Sequence, residues 1–443
     1  MSLQLSFPRL GKGLLVGLLL ALLVLPAVQA RLELVEVTPF AGNNAPPPPR
    51  PELSWAGLLD NSFQQGMEQY IDSRLGFREW FIRLRNQLTY SLFHESKASG
   101  IWVGRNGVLF EPPPVQAYVG EDAVSDAEVQ RHVRRFRVVQ DSLALRGKLL
   151  VYVAAPSKAS FMPENLPLGY RNQPRRRSNY EAYAAAMRAA GINLLDLSQA
   201  FRQWKDTAAY PLFPTGGTHW SGYGAKLAAD TLLRYVERRS GRPLRDYTLV
   251  GGPATDEPQD NEQDIEYSLN LMFPPSPPLT RHPRLEFKPE QPGQARPKML
   301  LIGDSYCWSI LYVALAQAFD YVESRFWFWN VVNHTAMWPD NRPEGDNLSG
   351  PDRKKAYLAR DVVLILFTEY NLRNNLDYGF SDDAYDLFVP RGPADSVRIR
   401  QYEAQIRQRP GMDKIMWSKS AESGLTYEQL IHQAAVARND SFR

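Results

Sequence analysis

The alternation of apolar and polar positions along the chain predicts strands and helices in turn. Four apolar runs are continuous over the length of a strand, at 148–156, 192–197, 299–303 and 361–367. Segments with helical spacing of apolar residues lie between or beside them, at 123–146, 179–190, 225–239 and 310–319. Continuous apolar strands belong in parallel sheets that are covered on both faces. We therefore predict an α/β fold, a three-layer parallel sheet with helices on both sides.

Two further elements are predicted ahead of the first of these strands. From Ser62 to Phe93 the apolar and aromatic residues recur at helical spacing. Because Gly76 interrupts the pattern, we expect two helices joined by a short turn. Asn106 and Gly107 then separate two short apolar runs within 101–110. An Asn-Gly pair in that setting predicts a β-hairpin.

The N-terminus has the pattern of an export signal. Basic residues precede an apolar run over 14–25, and small residues follow it. This order is typical of a secretory signal peptide, and we favour cleavage after Ala30 over an uncleaved membrane anchor. Cys307 is the single cysteine, so the chain forms no intramolecular disulfide. A large domain without disulfides fits the bacterial periplasm, which is the location that we expect.

The composition divides the 443 residues into four parts. We expect a signal peptide or signal anchor at 1–30, a Pro-rich linker at 31–52, one α/β domain at 53–393, and a C-terminal extension at 394–443. The domain contains a Pro-rich insertion near 251–298. Long insertions are either functional, for example as a lid, or solvated, and we favour a solvated insertion.

The charge pattern and motif content exclude several function classes. Lys and Arg number 51 against 48 Asp and Glu, and the two signs are mixed along the chain. This balance indicates no nucleic-acid partner. The sequence has no metal-ligand spacing, phosphate-binding glycine loop or dinucleotide fingerprint. We therefore expect neither a metal nor a cofactor.

A serine and a histidine are the best candidates for chemistry. Ser305 follows the apolar run 299–303 and precedes an expected helix, which is where ligands gather in open α/β sheets. A serine there can act as a nucleophile, although turns also use Gly-Asp-Ser. His219 lies in a loop rich in Gly and Pro beside Trp220, where it can act as the base or merely bond loop carbonyls. Cys307 is interpreted as a packing residue.

These motifs resemble a known family. Thr218-His219-Trp220 and Gly303-Asp304-Ser305-Tyr306 look like the alginate O-acetyltransferase family of the AlgX and AlgJ type, which has an SGNH-hydrolase-like domain. The stretches 70–78 and 102–110 are also similar to that family, so the resemblance covers about 60–380. It implies a flavodoxin-like three-layer sheet and transfer of acetyl groups onto an exported polysaccharide. It also implies a membrane-bound acyltransferase as acetyl donor and a polysaccharide export complex as partners.

One position departs from the family pattern. The family has an aspartate two residues before the histidine, where it orients the imidazole, and this chain has Gly217. Asp196, at the end of the 192–197 strand, is the candidate for a relocated carboxylate. Three hypotheses follow: a dyad of Ser305 and His219, a triad with a relocated carboxylate, or a domain that binds without chemistry. We favour activity over its loss.

Aromatic and polar residues near the motifs are candidates for substrate binding. Trp220, Tyr306 and Trp308 are expected at the mouth of the site, where sugar rings can stack on them. Tyr370 and Arg373 follow the last apolar strand and are candidates for holding a hydroxyl-rich or anionic substrate. Core packing or a local ion pair is the alternative for each.

The resulting hypothesis is an exported O-acetyltransferase acting on an exopolysaccharide that is alginate-like or cellulose-like. Ser305 would form the acetyl-enzyme, with His219 as base and then acid. Asn330 and Asn333 are candidates for receiving the oxyanion. A polysaccharide acetyl esterase would use the same residues. A noncatalytic polysaccharide-binding or assembly protein is the alternative that Gly217 favours.

Overall fold

A seven-stranded sheet forms the centre of the protein. The computed structural model describes residues 9–41, 46–259, 261–335, 343–346, 350–373, 376–412, 415–416 and 426–440. Its strands are β1 (Trp102–Val103), β2 (Leu109–Phe110), β3 (Leu149–Ala155), β4 (Leu194–Asp196), β5 (Tyr247–Val250), β6 (Ala254–Thr255), β7 (Thr280–Arg281), β8 (Arg284–Phe287), β9 (Met299–Gly303), β10 (Arg325–Phe328), β11 (Val332–Thr335), β12 (Pro343–Asp346) and β13 (Val362–Thr368).

The order across the central sheet is β12, β11, β10, β9, β13, β3 and β4. The five strands from β10 to β4 run parallel, with Leu364 of β13 opposite Leu301 of β9 and Val151 of β3. The predicted parallel sheet is confirmed. β11 and β12 add an antiparallel edge that the apolar pattern did not predict, because neither strand contains a continuous apolar run.

Helices surround this sheet. They are α1 (Arg9–Leu32), α2 (Trp55–Leu59), α3 (Ser62–Asp72), α4 (Arg78–Phe93), α5 (Pro112–Val119), α6 (Asp126–Ala144), α7 (Lys158–Phe161), α8 (Leu168–Arg171), α9 (Asn179–Ala189), α10 (Leu197–Trp204), α11 (Gly222–Ser240), α12 (Tyr306–Ile310), α13 (Ala316–Ala318), α14 (Gly350–Ala359), α15 (Phe380–Phe388), α16 (Pro393–Gln408) and α17 (Tyr427–Asp440).

The strand residues divide between two cores because alternate side chains point to opposite faces of a sheet. On one face, Val363 packs in a cluster with Phe136 of α6 and residues of α9 and α15. On the other face, Leu364 packs in a cluster with Leu232 of α11 and Ile310 of α12. Every residue of β13 is buried. The three-layer α/β arrangement is therefore confirmed, with the central strands covered on both sides.

The N-terminal helices and the hairpin form where the sequence pattern predicts them. α3 and α4 meet at a turn that contains Gly76, and β1 pairs antiparallel with β2. The hairpin turn has left-handed backbone at Asn106 (φ 58°) and Gly107 (φ 73°), a conformation that these two residue types adopt most readily. Leu109 of β2 packs in one cluster with Ile265 of the insertion. The hairpin thus supports the insertion.

α1 is an N-terminal apolar helix. Its segment Gly11–Leu32 has 22 residues and a mean hydropathy of 2.4, enough by length and composition to cross a membrane, as signal sequences also are. This helix is longer than the apolar run of 14–25 on which the sequence interpretation relied. Near its end, Gln29 is buried and donates a hydrogen bond to the Val35 carbonyl oxygen at 2.6 Å. The chain after α1 is thereby held against the helix.

Candidate active site

The structure brings Ser305 and His219 into contact although 86 positions separate them. Ser305 Oγ lies 2.8 Å from His219 Nε2. Ser305 stands between β9 and α12, at the carboxyl end of the sheet. His219 lies in the loop before α11. The Ser221 side chain caps the start of this helix by accepting a hydrogen bond from Gly224 N. The sequence predicted this pair as the reacting groups.

A fully buried carboxylate fixes the turn that carries Ser305. Asp304 accepts hydrogen bonds from the backbone N–H of Thr368 at 2.7 Å, from its hydroxyl at 2.6 Å and from Asn371 Nδ2 at 2.8 Å. It also accepts from Tyr306 N at 3.1 Å. Burial raises the pKa of Asp304. These bonds tie the end of β9 to the end of β13 and therefore set the position of Ser305.

The partner of the histidine is Asp264, which the sequence analysis did not identify. Asp264 Oδ2 lies 2.6 Å from His219 Nδ1, and its other oxygen accepts from Thr218 N at 2.8 Å. A carboxylate can only accept, so this contact places the proton on Nδ1 and leaves Nε2 free to accept from Ser305. The arrangement Ser305, His219 and Asp264 has the geometry of a nucleophile, its base and the orienting acid.

Asp264 belongs to the Pro-rich insertion, in a part of it that is packed and not solvated. Glu262 and Glu266 on either side of it are both buried. Glu262 Oε1 accepts from Gly222 N at 2.7 Å, and Glu266 N donates to the Gly216 carbonyl oxygen at 2.9 Å. The expectation of a solvated insertion is therefore wrong for this segment. Its hydrogen bonds hold the loop that carries the histidine.

The same packing explains the residue at 217. A Cβ added to Gly217 would lie 2.5 Å from the carbonyl oxygen of Asn261 and 2.7 Å from that of Glu262. Contacts this short with backbone atoms leave no room for a side chain. Gly217 thus stands where the family has an aspartate, and the segment that leaves no room for a side chain there is the segment that carries Asp264.

A buried lysine supports the histidine loop from beneath. Lys158, just after β3, donates from Nζ to the carbonyl oxygens of Thr215 and Gly217, each at 2.7 Å. Burial lowers the pKa of Lys158 to about 7, while Asp264 and Glu266 act in the opposite direction. The lysine therefore links the carboxyl end of β3 to the backbone on the N-terminal side of His219.

Asp196 does not take the role for which it was a candidate. It caps α10 through Gln199 N at 2.8 Å, accepts from the Tyr180 hydroxyl at 2.9 Å and pairs with Arg188. The relocated carboxylate is Asp264 instead. The position of Asp196 at a strand end suggested it, but β4 is at the sheet edge, three strands away from β9.

Two aromatic residues that were expected at the mouth of the site are buried. Trp220 is 3% exposed, stacks on Phe201 at 5.8 Å and donates from Nε1 to Ser309. Tyr306 is 1% exposed, and its hydroxyl donates to the Thr218 carbonyl oxygen at 2.7 Å. Their expected role in binding substrate is therefore corrected. They form the packed base on which the histidine loop rests.

The remaining candidates for substrate binding are accessible. Trp308 is partly exposed among Phe326, Phe328 and His334. Tyr370 is partly exposed next to Thr368 and Asn371, and burial raises its pKa. Arg373 is exposed and acts electrostatically on Asp122. Trp308 and Tyr370 border the turn of Ser305, whereas Arg373 lies farther along its loop.

Three other residues have structural partners. Asn330 donates from Nδ2 to the Tyr378 carbonyl oxygen at 2.9 Å, and Asn333 Oδ1 accepts from Trp327 Nε1 at 3.0 Å. The Asn330 amide donor and the Asn333 amide oxygen are therefore already used in hydrogen bonds within the fold. Cys307 is buried, and burial raises the pKa of its thiol, as expected of a packing residue.

No sequence rule relates Asp264 to His219, but the segment carried a weak signal. Ile265, Leu269 and Leu271 are apolar residues within an otherwise polar and Pro-rich stretch, and all three are buried. Apolar positions at this spacing indicate a packed turn of helix.

Among the described residues, no cluster of three or more His, Cys, Asp and Glu side chains is placed to hold a metal ion.

Comparison with known proteins supports the resemblance. Over 275 residues the chain is 29% identical to the probable alginate O-acetylase AlgJ of Pseudomonas aeruginosa. The aligned region covers 56% of this chain and 66% of that protein. It is 26% identical over 202 residues to the protein of the same name from Pseudomonas putida, covering 44% and 50%. The chain thus spans less than two thirds of the length of either relative.

Two solved structures also match the chain, at lower identity. The O-acetyltransferase domain of Pseudomonas putida AlgJ matches with a TM-score of 0.41 and 24% identity over 66% of this chain and 99% of that one. Pseudomonas aeruginosa AlgX matches with a TM-score of 0.41 and 14% identity, covering 65% and 67%. Residues 101–321 match the family model of the SGNH hydrolase-like domain of acetyltransferase AlgX, and this part of the chain belongs to that family.

Proposed function

We propose that this chain transfers acetyl groups onto hydroxyl groups of an exported, alginate-like polysaccharide, through an acetyl ester on Ser305. The observation that carries the proposal is the continuous contact from Ser305 Oγ through His219 to Asp264. The names of the two relatives, both probable alginate O-acetylases, support the choice of acyl group and acceptor.

In the first half of the reaction, His219 Nε2 takes the proton of Ser305 while Oγ attacks the carbonyl carbon of the acetyl donor. Asp264 keeps the other ring proton on Nδ1 and stabilises the imidazolium that forms. The tetrahedral intermediate then collapses, the bond to the donor breaks, and His219 gives its proton to the leaving group. The acetyl group remains as an ester on Ser305.

In the second half, a hydroxyl of the polysaccharide takes the place of the departed donor. His219 removes the hydroxyl proton, the oxygen attacks the acetyl carbon, and the ester bond to Ser305 breaks as the proton returns to Oγ. The Ser305 backbone N–H, from which no described residue accepts a hydrogen bond, is the donor that we assign to the oxyanion in both halves.

We also propose that the protein works in the periplasm. The N-terminal apolar helix fits a signal peptide or an anchor. The burial of Gln29 and the close approach of Pro26 and Ala30 to Gly76 support a retained anchor, because cleavage after Ala30 would remove these contacts. The mass of the protein isolated from its host separates the two, since cleavage removes the first 30 residues.

The proposed donor and partners are those that the family resemblance implies. Acetyl groups reach a periplasmic enzyme only if another protein carries them across the membrane. We therefore assign a membrane-bound acyltransferase as the source of acetyl groups, and a polysaccharide export complex as the setting. An anchor in the same membrane would hold Ser305 near that source.

The test is the intact mass of the purified full chain in detergent after incubation with an activated aryl acetate. Wild type is expected to gain one acetyl group that Ser305→Ala does not gain. Ser276→Ala, in an exposed Pro-rich stretch, is the matched control and should behave as wild type. Absence of any adduct and of ester turnover in folded wild type would contradict the proposal.

Two alternatives to the transferase are an esterase and a noncatalytic binding protein, and the polysaccharide acceptor distinguishes the first. An esterase would release acetate at the same rate with or without polysaccharide, whereas a transferase should place the acetyl group on the polymer. A noncatalytic binding protein was favoured by Gly217 alone. That argument no longer holds, because Asp264 supplies the carboxylate that Gly217 lacks.

A further inference from the structure

A polar pocket of about 300 Å³ lies at the carboxyl ends of β3, β4 and β13. Ligand pockets in proteins are typically of about 300–1,000 Å³. The floor of this pocket is made of buried polar side chains, which are Ser157, Ser178, Tyr180 and Glu369. Such a floor is costly unless its groups are hydrogen-bonded, and the mechanism above makes no use of it.

The polar groups of the floor are hydrogen-bonded to one another and to neighbouring side chains. The Ser157 hydroxyl donates to Glu369 Oε2 at 3.2 Å. The Tyr180 hydroxyl accepts from Arg202 at 2.6 Å and donates to Asp196. The single proton of each hydroxyl is thereby donated to a carboxylate, and each hydroxyl oxygen keeps a lone pair that can accept a further hydrogen bond.

The rim adds aromatic surface and balanced charge. The guanidinium of Arg175 lies 4.6 Å from the centre of the Tyr118 ring and pairs with Glu181 at 2.9 Å. Arg202 pairs with Glu369 at 3.3 Å. Two arginines against two glutamates leave no excess charge, so the pocket suits hydroxyl groups better than a free anion.

The pocket is fixed to the Ser305 turn. Glu369 directly follows Thr368, which donates to Asp304. β13 and β9 are adjacent strands, and neighbouring strands lie about 4.8 Å apart. A polymer bound in the pocket therefore needs only a short length of chain to reach Ser305.

We infer that this pocket binds one pyranose unit of the acceptor polysaccharide, recognised through its hydroxyl groups, while another unit of the same chain receives the acetyl group. Pyranose hydroxyls donate to the acceptor oxygens of the floor, and the apolar C–H face of the ring fits against Tyr118. The inference rests on the proposed function for the identity of the acceptor.

The experiment separates acetylation of the enzyme from transfer to the acceptor. Arg175→Gln and Tyr118→Leu are expected to raise the KM for oligosaccharide acceptor by roughly tenfold, the effect of one lost hydrogen bond or ring contact. Formation of the acetyl-enzyme from an aryl acetate should stay at the wild-type rate, because neither residue contacts Ser305, His219 or Asp264. Arg238→Gln, on the exposed side of α11, is the matched control.

A binding measurement keeps the inference testable if the chain forms no acetyl-enzyme. Calorimetry of Ser305→Ala with a uronate oligosaccharide and with a neutral β-glucan oligosaccharide should show binding of at least one of them. Adding Tyr118→Leu should weaken it roughly tenfold. Absence of binding to both, or an affinity and a KM that neither variant changes, would overturn the assignment of the pocket.

Discussion

The backbone beside Asp264 occupies the space that a side chain at Gly217 would need. The Asn261 and Glu262 carbonyl oxygens would lie within 2.7 Å of a Cβ at 217, and Asp264, two residues farther on, contacts His219. The orienting carboxylate and the glycine therefore depend on each other. The segment that brings Asp264 to His219 is the same one that leaves no room for a side chain at 217.

Asp264→Asn should lower the rate of acetyl-enzyme formation by about 10³–10⁴-fold, because an amide at this position favours the wrong imidazole tautomer. The fold should remain intact. Single-turnover acylation by an aryl acetate measures the rate, and Asp256→Asn, an exposed residue of the same insertion, is the control. A loss smaller than tenfold would show that Ser305 and His219 work as a dyad.

Gly217→Asp should not restore activity to Asp264→Asn, even though it recreates the family's motif. Its Cβ would meet backbone atoms, and such overpacking costs about 1–3 kcal/mol of stability. Thermal unfolding and acylation of the single and double variants test this. Gly169→Asp, where a Cβ meets nothing within 4 Å, should unfold at the wild-type temperature. Rescue by Gly217→Asp would mean that the insertion can move aside.

Lys158→Met should loosen the loop that carries His219. Two buried carbonyl oxygens lose their donor, at a cost of about 1–3 kcal/mol each. We expect faster amide hydrogen exchange at 215–220 and slower acylation. Lys355→Met, an exposed change of the same kind, serves as control. Unchanged exchange over that loop would contradict the supporting role of the lysine.

Asp377→Asn should stabilise the protein at alkaline pH. Burial raises the pKa of Asp377 to about 7 from 3.8, so the folded state binds more protons than the unfolded state between those values. Its contribution is full below pH 3.8 and is lost as the pH rises through 7. The asparagine keeps an oxygen for Ser381 N without the buried charge.

The advantage of Asp377→Asn in unfolding free energy should grow by roughly 3 kcal/mol between pH 5 and pH 8. Urea unfolding at the two pH values measures it. Asp206→Asn, an exposed aspartate, should show the same difference from wild type at both pH values. An advantage of Asp377→Asn that did not increase with pH would mean that the carboxyl is ionised in the folded protein without cost.

Much of the fold could be predicted because its signals are local. The parallel core followed from four continuous apolar runs, and the hairpin from Asn106 and Gly107. The edge strands β11 and β12 were missed because they are polar and have no continuous apolar run. The helix α1 extends on both sides of the apolar run 14–25 from which an export signal was predicted.

The sequence by itself predicted Ser305 and His219 as the candidate pair, because each lies in a recognisable local setting. Ser305 follows a buried strand, and His219 lies in a Gly- and Pro-rich loop before a helix. Only the tertiary structure places Asp264, 45 positions from His219, in hydrogen-bonding contact with its ring. Sequence spacing has no rule for a contact made across an insertion. It also could not distinguish Trp220 in the core from a sugar-binding tryptophan, since the same apolar ring serves both purposes.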